Sequence, residues 1–337
     1  MKPNVIGGEF EVSPDLLKIN NSKLNYFGAD YLFSTGRAAL YNILLNEVAD
    51  TVIIPDYICG CVPKTVVATE KKIFKYHVNS DFTFEFLKEI QNIKNPVVLL
   101  VNFFGLVDVD FVIKQIKEIY ENPVIILDDV QSLWDLKKDH KVDYVFSSFR
   151  KWLPVQDGAP VKTSKKLVCS GKENIFAKDK IVGSLLKFYR DYKEVSDVDY
   201  LNNFEQAEQT LDENWNCEVS SFTRNILNNI DYEYIAAKRR NNAIYLCSKM
   251  GATISLMKDK LCDIAFVPMF VPIFLENRNE MRKKLMKNNI FCPVHWPFNA
   301  SEEDKNPLYD TELSLICDQR YSADDMEKIV KILNYGK

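Results

Sequence analysis

Five short apolar runs, near 51–54, 72–77, 97–102, 124–127 and 144–147, alternate with helical patterns near 36–46, 83–93 and 109–120. Strands separated by helix-length crossovers pair in parallel, so the alternation predicts an α/β chain with a mostly parallel sheet and helices on both faces. The pattern changes after about 163. Residues 163–215 are rich in charged and aromatic side chains, including Phe188-Tyr-Arg-Asp-Tyr192, and read as helices over one face or as a dimer surface. A long helical pattern over 222–249 leads into a smaller α+β unit with a strand at 264–274, helices near 277–288 and 323–334, and a turn bearing His295. At ~100–200 residues per domain, 337 residues make about two: a large domain over 1–235 and a small C-terminal domain over 236–337.

Ligands of open parallel sheets sit beyond the carboxyl ends of the strands. Three features fall there. Val124-Ile-Ile-Leu-Asp128-Asp129-Val130-Gln131 is a buried-strand pattern ending in a carboxylate that could keep a pyridine nitrogen protonated; either Asp could instead cap a following helix. Tyr144-Val-Phe-Ser147-Ser148-Phe-Arg150-Lys151-Trp152 sets one lysine behind a short apolar strand, with the turn residue Gly158 beyond. A lysine must be neutral to attack a carbonyl, and Arg150 and Trp152 are placed to supply a neighbouring charge and a desolvated wall. Taken alone, Ser-x-x-Lys reads as readily as a surface lysine at a strand end. Ser34-Thr35-Gly36-Arg37 opens a helix whose free N–H groups and dipole favour a phosphate, although the same residues also serve as a simple cap.

The three matter as an ordered set: a phosphate-type helix start, a strand ending in Asp-x-x-Gln, then a strand ending in Ser-x-x-Lys. In this order, and with Ile54-Pro-Asp-Tyr57, Val101-Asn-Phe-Phe-Gly105 and Cys292-Pro-Val-His295-Trp296-Pro, the chain resembles the DegT/DnrJ/EryC1/StrS family, sugar aminotransferases of the aspartate aminotransferase fold, from Gly7-Gly-Glu-Phe-Glu to the last helix. The resemblance implies the fold of type I pyridoxal 5'-phosphate (PLP) enzymes. Lys151 would bind the cofactor aldehyde as a Schiff base, Asp128 would pair with the pyridinium nitrogen, and Gln131 would hydrogen-bond the region of the 3-hydroxyl. Gly36 and Arg37, with Ser147 or Ser148, would hold the phosphate, and Tyr57 would pack on the ring face. His295 and Trp296, in a loop stiffened by flanking prolines, are candidates for substrate contact. The implied reaction moves an amino group, typically from glutamate, to a keto group on a nucleotide-linked sugar, in a homodimer with shared active sites. Dehydration or other PLP chemistry, or a non-catalytic relative that binds PLP or a sugar nucleotide, are the alternatives. Two departures stand out: Cys59 occupies a position usually aromatic, and Val219-Ser-Ser-Phe-Thr-Arg224 lacks the family's phosphate-binding Asn from the neighbouring subunit, which leaves a serine or threonine as substitute.

Composition narrows the rest. A net charge of −4 with scattered Lys and Arg gives no nucleic-acid footprint. The longest apolar stretch, about 264–275, is broken by Pro268 and Pro272 and falls short of the ~20 residues a membrane span needs. Eight cysteines without a leader-like N-terminus suggest a reduced cytoplasm, and three histidines with the tight Cys59-Gly-Cys61 pair argue against a metal. Arg239 and Arg240, in a charged helical run, read as an exposed face, and Arg320 as a solvated turn.

Overall fold

A computed structural model describes residues 5–12, 26–169, 172, 175–190, 196–211, 215–250, 255–297 and 305–334. Among the described residues the strands are β1 Ile6–Gly7, β2 Tyr31–Phe33, β3 Thr51–Pro55, β4 Lys72–Val78, β5 Phe84–Glu85, β6 Val97–Val101, β7 Val124–Asp128, β8 Tyr144–Phe146, β9 Ala159–Lys162, β10 Phe270–Phe274, β11 Ile290–Phe291 and β12 Glu312–Ile316. Strands β2 to β9 form one eight-stranded sheet in the order β2-β9-β8-β7-β6-β3-β4-β5. Its middle, from β8 across to β4, is parallel, and antiparallel pairs close both edges. Every residue of β3 and β6 is buried, as strands covered on both faces require. From β3 the chain moves outward to β4 and then returns to the other flank of β3, so the order reverses between β3 and β6, where an open α/β sheet has its crevice.

The helices are α1 Gly36–Asn46, α2 Cys61–Ala68, α3 Lys88–Gln91, α4 Val109–Ile119, α5 Ile175–Arg190, α6 Asp197–Thr210, α7 Ser221–Leu227, α8 Tyr232–Lys249, α9 Ser255–Leu261, α10 Arg278–Lys287, α11 Leu308–Thr311 and α12 Ala323–Asn334. The sheet and its covering helices share one core. A second core gathers Leu246, Val271, Ile273, Leu285, Leu313 and Ile329 around β10 and β12, which pair antiparallel. Helix α8 starts against the first core through Ile235 and ends in the second through Ala243, Leu246 and Cys247. The first strand joins the later core: β1 pairs in parallel with β11, and Ile6 is buried there.

Three expected elements are shorter than their patterns. Over 83–93, Phe84 and Phe86 are buried two apart against Tyr76, a strand spacing, and only Lys88–Gln91 makes a helical turn. The pattern over 222–249 breaks into α7 and α8, with Asp231 capping α8 by accepting the Tyr234 N–H. The strand expected at 264–274 begins only at Phe270, because the carbonyls of Pro268 and Met269 accept from Arg239. Helices α5 and α6 occupy 163–215 as expected; Asp191 and Tyr192 lie outside the described residues. Among the described residues no helix is long and apolar enough to cross a membrane, and no group of three or more His, Cys, Asp or Glu could hold a metal ion.

Candidate active site

The carboxyl ends of β6, β7 and β8 floor a cavity of about 520 Å³, with α1 and α2 at its side. Phe270, Arg282, His295 and Trp296, from the C-terminal part of the chain, also line it, and Gly8–Phe10 close one edge. That volume suits a small-molecule site, typically ~300–1,000 Å³.

Alternation along each strand and its exit decides which side chains face in. Asp128, at the end of β7, lines the cavity, and one carboxyl oxygen accepts the Val130 N–H at 2.9 Å, a short Asx turn. Burial raises its carboxyl to about 7, against the pull of that hydrogen bond. Asp129 points the other way, caps no α-helix, and accepts from Asn102 at 3.0 Å in a buried network. Gln131 lines the cavity; its side-chain oxygen accepts the Phe104 N–H at 2.9 Å, which fixes the amide and leaves Nε2 buried without a protein partner.

After β8 the chain makes a 3-10 turn at Phe149–Lys151. The Phe149 N–H donates to Gly158 (2.9 Å), and the Gly158 N–H to Ser34 (2.6 Å). Gly158 has φ +103°, and a Cβ there would lie 3.1 Å from the Phe149 ring and 3.2 Å from Val219, so only glycine lets the loop fold back this closely. Trp152 is locked beneath, donating to Val130 at 2.8 Å, and does not line the cavity. Lys151 does line it, enclosed by protein yet open to the cavity space. The Arg150 charge, then desolvation, lower its pKa; Glu9, Glu208 and Cys59 oppose them. Of the two expected aids, Arg150 acts on the lysine and the buried Trp152 holds the loop.

Helix α1 starts at the same cavity, with Thr35 accepting the Ala38 N–H at 3.1 Å and Gly36 and Arg37 in the lining. Ser148 lines the cavity, whereas Ser147 is fully buried and donates to the Asp129 carbonyl at 2.7 Å. Tyr57 is fully buried among Phe103, Trp296 and Tyr309, with ring centroids 5.5, 5.2 and 4.9 Å away. It lies outside the lining, whereas Cys59, two positions on, is part of it. His295 and Trp296 both line the cavity; the His295 N–H donates to Glu312 at 2.6 Å, and its Nδ1 lies 2.8 Å from the Ser314 hydroxyl.

Three arginines differ from their sequence reading. Arg239 is 1% exposed, sits 4.8 Å over the Trp152 ring and donates to the carbonyls of Trp152 (3.1 Å) and Met269 (3.0 Å). Arg240 donates to the carbonyls of Leu261, Asp263 and Phe266. Arg320 is paired with Asp318 at 2.9 Å and donates to the carbonyls of Gly8 and Glu9, pinning the N-terminal segment against the cavity. The stretch lacking the family Asn faces inward: Ser220 caps α7 and donates to Asp157 at 2.8 Å, and Thr223 is fully buried, so of its hydroxyls only the exposed Ser221 could meet a neighbouring subunit.

Glu9, absent from the sequence-derived site, is the acid beside the lysine. Burial raises its carboxyl, but Lys180, Arg150 and Lys151 overcome this and hold it at about 2. Arg37, Arg150, Lys151, Arg239, Arg282 and Arg320 face only Glu9, Asp128 and Asp318 in the lining, a cationic cavity in a chain of net charge −4. A lysine with a lowered pKa, a protonatable carboxyl, an amide N–H donor without a partner and a helix N-terminus in a cationic cavity fit the aldehyde, ring nitrogen, hydroxyl and phosphate of PLP.

No family profile matches the chain, and no curated protein matches it. Solved structures do. A DegT DnrJ EryC1 StrS aminotransferase from Brucella abortus is 14% identical over 93% of this chain and 87% of its own, with TM-score 0.56. PseC of Helicobacter pylori, an aminotransferase of pseudoaminic acid biosynthesis, is 13% identical over 92% and 88%, with TM-score 0.59. The PMP form of Spr1654 from Streptococcus pneumoniae is 14% identical over 98% and 94%, with TM-score 0.63. The chain therefore has the α/β fold type I architecture of PLP-dependent aminotransferases, as the family resemblance implies.

Proposed function

We propose that the protein is a PLP-dependent aminotransferase that moves an amino group, from glutamate as donor, to the keto group of a sugar, nucleotide-linked in the simplest reading. The carrying observation is the convergence of Lys151, Asp128, Gln131 and the α1 N-terminus on one cavity at the carboxyl ends of the strands. When bound, PLP supplies an electron sink conjugated to the Cα of the amino donor.

The residues divide the remaining tasks. The α1 amides at Gly36 and Arg37, with the Ser148 hydroxyl, hold the phosphate at the helix N-terminus. Asp128, its carboxyl raised to about 7 by burial, would ionise beside a protonated ring nitrogen and would keep the proton there. Gln131 Nε2 donates to the ring hydroxyl. Lys151, whose neutral form Arg150 favours, would hold the cofactor at its aldehyde carbon, and its free amine would serve as the base that moves the Cα proton. Cys59, which lines the cavity, would border the ring where the resemblance puts an aromatic residue. His295, held by Glu312 and Ser314, and Trp296 wall the acceptor side.

We infer a homodimer from the apolar residues that α5 and α6 expose, among them Leu185 (38%), Tyr189 (55%), Val198 (62%) and Leu201 (52%); sedimentation equilibrium giving a monomer at micromolar concentration would count against it. We infer a reducing, cytoplasmic setting from the chain's eight cysteines, four of them (Cys217, Cys247, Cys292 and Cys317) buried thiols.

The test is the absorption spectrum with PLP, before and after glutamate, for the wild type and Lys151→Ala. A visible band that glutamate bleaches and the variant lacks supports the reading. A band indifferent to glutamate points to another donor or to other PLP chemistry. No band at all sinks the enzyme reading and leaves a non-catalytic binding protein.

A further inference from the structure

Cys59 and Cys61 both line the cavity, with their sulfurs 3.1 Å apart and the Cys61 thiol donating to Cys59. Gly60 between them is exposed, lies in a helical turn (φ −56°, ψ −15°) and has nothing within 4 Å of where a Cβ would stand, so no neighbour packs against the turn there. Closing the gap to the ~2.05 Å of a disulfide asks for about 1 Å of side-chain movement. We propose that this pair is a modification site, a dithiol in the cavity wall that a low-molecular-weight disulfide converts into an intramolecular Cys59–Cys61 disulfide.

The two sulfurs are already differentiated. Hydrogen bonds from the Cys61 thiol and backbone N–H, resisted by burial and aided by the charges of Lys151 and Arg37, lower the Cys59 thiol to about 6, while proximity to Cys59 raises Cys61. Cys59 is therefore the attacking thiolate and Cys61 the resolving thiol. The Cys59 thiolate attacks one sulfur of the small disulfide, forming a mixed disulfide and releasing the other half as a thiolate. That thiolate takes the Cys61 proton; the Cys61 sulfur then attacks Cys59 and expels the second half, which leaves as a thiol after taking up the proton that Cys59 had lost to solvent. Two protein thiols are oxidised, and one small disulfide is reduced to two thiols. The remaining lining cysteine, Cys292, is buried and pushed up to about 12, so it does not compete. Cys247 and Cys317 are likewise buried and raised, to about 11 and about 12.

The experiment uses the full chain without cofactor, so its outcome is independent of the aminotransferase reading. Glutathione disulfide is added near neutral pH, and thiols, intact mass and proteolytic peptides are followed in time. The expected first event is loss of two thiols and two hydrogens, mapped to the peptide holding Cys59 and Cys61 and reversed by dithiothreitol. Cys61→Ser should stop at a glutathione adduct on Cys59, and Cys59→Ser should slow reaction in this segment by about tenfold or more. First modification at the exposed Cys262, or a lasting glutathione adduct on wild-type Cys59, would overturn the proposal; both readings come from the wild-type chain even if a variant fails to fold.

Discussion

Asp128 makes the sharpest numerical demand on this structure. Burial lifts its carboxyl from an ordinary 3.8 to about 7, so ionising it in the cofactor-free protein costs about 4 kcal/mol, at ~1.4 kcal/mol per tenfold in equilibrium. The sign is fixed by which state keeps the proton. Between 3.8 and about 7 the folded chain retains a proton that the unfolded chain has lost, so unfolding releases it and stability falls as pH rises, with the loss complete above about 7. Asp128→Asn keeps an acceptor for the Val130 N–H and cannot ionise. In urea unfolding the cofactor-free variant should be more stable than wild type by up to about 4 kcal/mol at about pH 8, and the two should converge near pH 4. Added PLP should reverse the order, stabilising wild type far more than the variant, because only a carboxylate pairs with a protonated ring nitrogen. Parallel stability curves for the two cofactor-free proteins across this range would refute the argument, since they would mean that the folded carboxyl ionises as freely as the unfolded one.

Two further perturbations test the scaffold around the lysine. Gly158→Ala puts a Cβ 3.1 Å from Phe149 at φ +103° and should cost about 1–3 kcal/mol, with a weakened visible band in the PLP spectrum; a variant with unchanged melting and spectrum would show that the loop does not need this glycine. Arg239→Leu strips the donors from the carbonyls of Trp152 and Met269 and should destabilise by about 2–4 kcal/mol in the same urea assay, whereas a neutral result would mean that those carbonyls are satisfied by water.

The parallel strands were legible because strands covered on both faces read as unbroken apolar runs, as Val97–Val101 and Val124–Leu127 do. The cavity-facing set was legible where a residue type names its own chemistry: Lys151, Asp128, Gln131 and the Gly36 helix start. Facing direction was harder to read. Tyr57 and Ser147 each have a partner one or two positions on, Cys59 and Ser148, that faces the cavity in its place, and a sequence does not say at which residue a strand exit turns. Arg239 looked solvated because its neighbours are charged, but its partners are backbone carbonyls, which carry no residue-type signature. Glu9 was hidden by distance along the chain: Lys180 and Arg150, which set its charge state, lie far from it in sequence. The signal that could have exposed it was an acid directly after the glycine pair in Gly7-Gly-Glu-Phe-Glu.

The edge of the cavity formed by Gly8 and Glu9 has a consequence for how the molecule is made. Arg320 reaches the Gly8 carbonyl across 312 positions, and β1 pairs with β11 near residue 290. During synthesis on the ribosome the sheet from β2 to β9 has all its partners once residue 162 has emerged, while the opening segment must wait for β11 at 290–291 and for Arg320. Contacts of such long sequence separation form late and slowly. The nascent chain should therefore acquire its sheet well before a competent pocket, and a pulse-labelled refolding experiment should see amide protection in β3, β6 and β7 precede protection at Ile6 and Gly7.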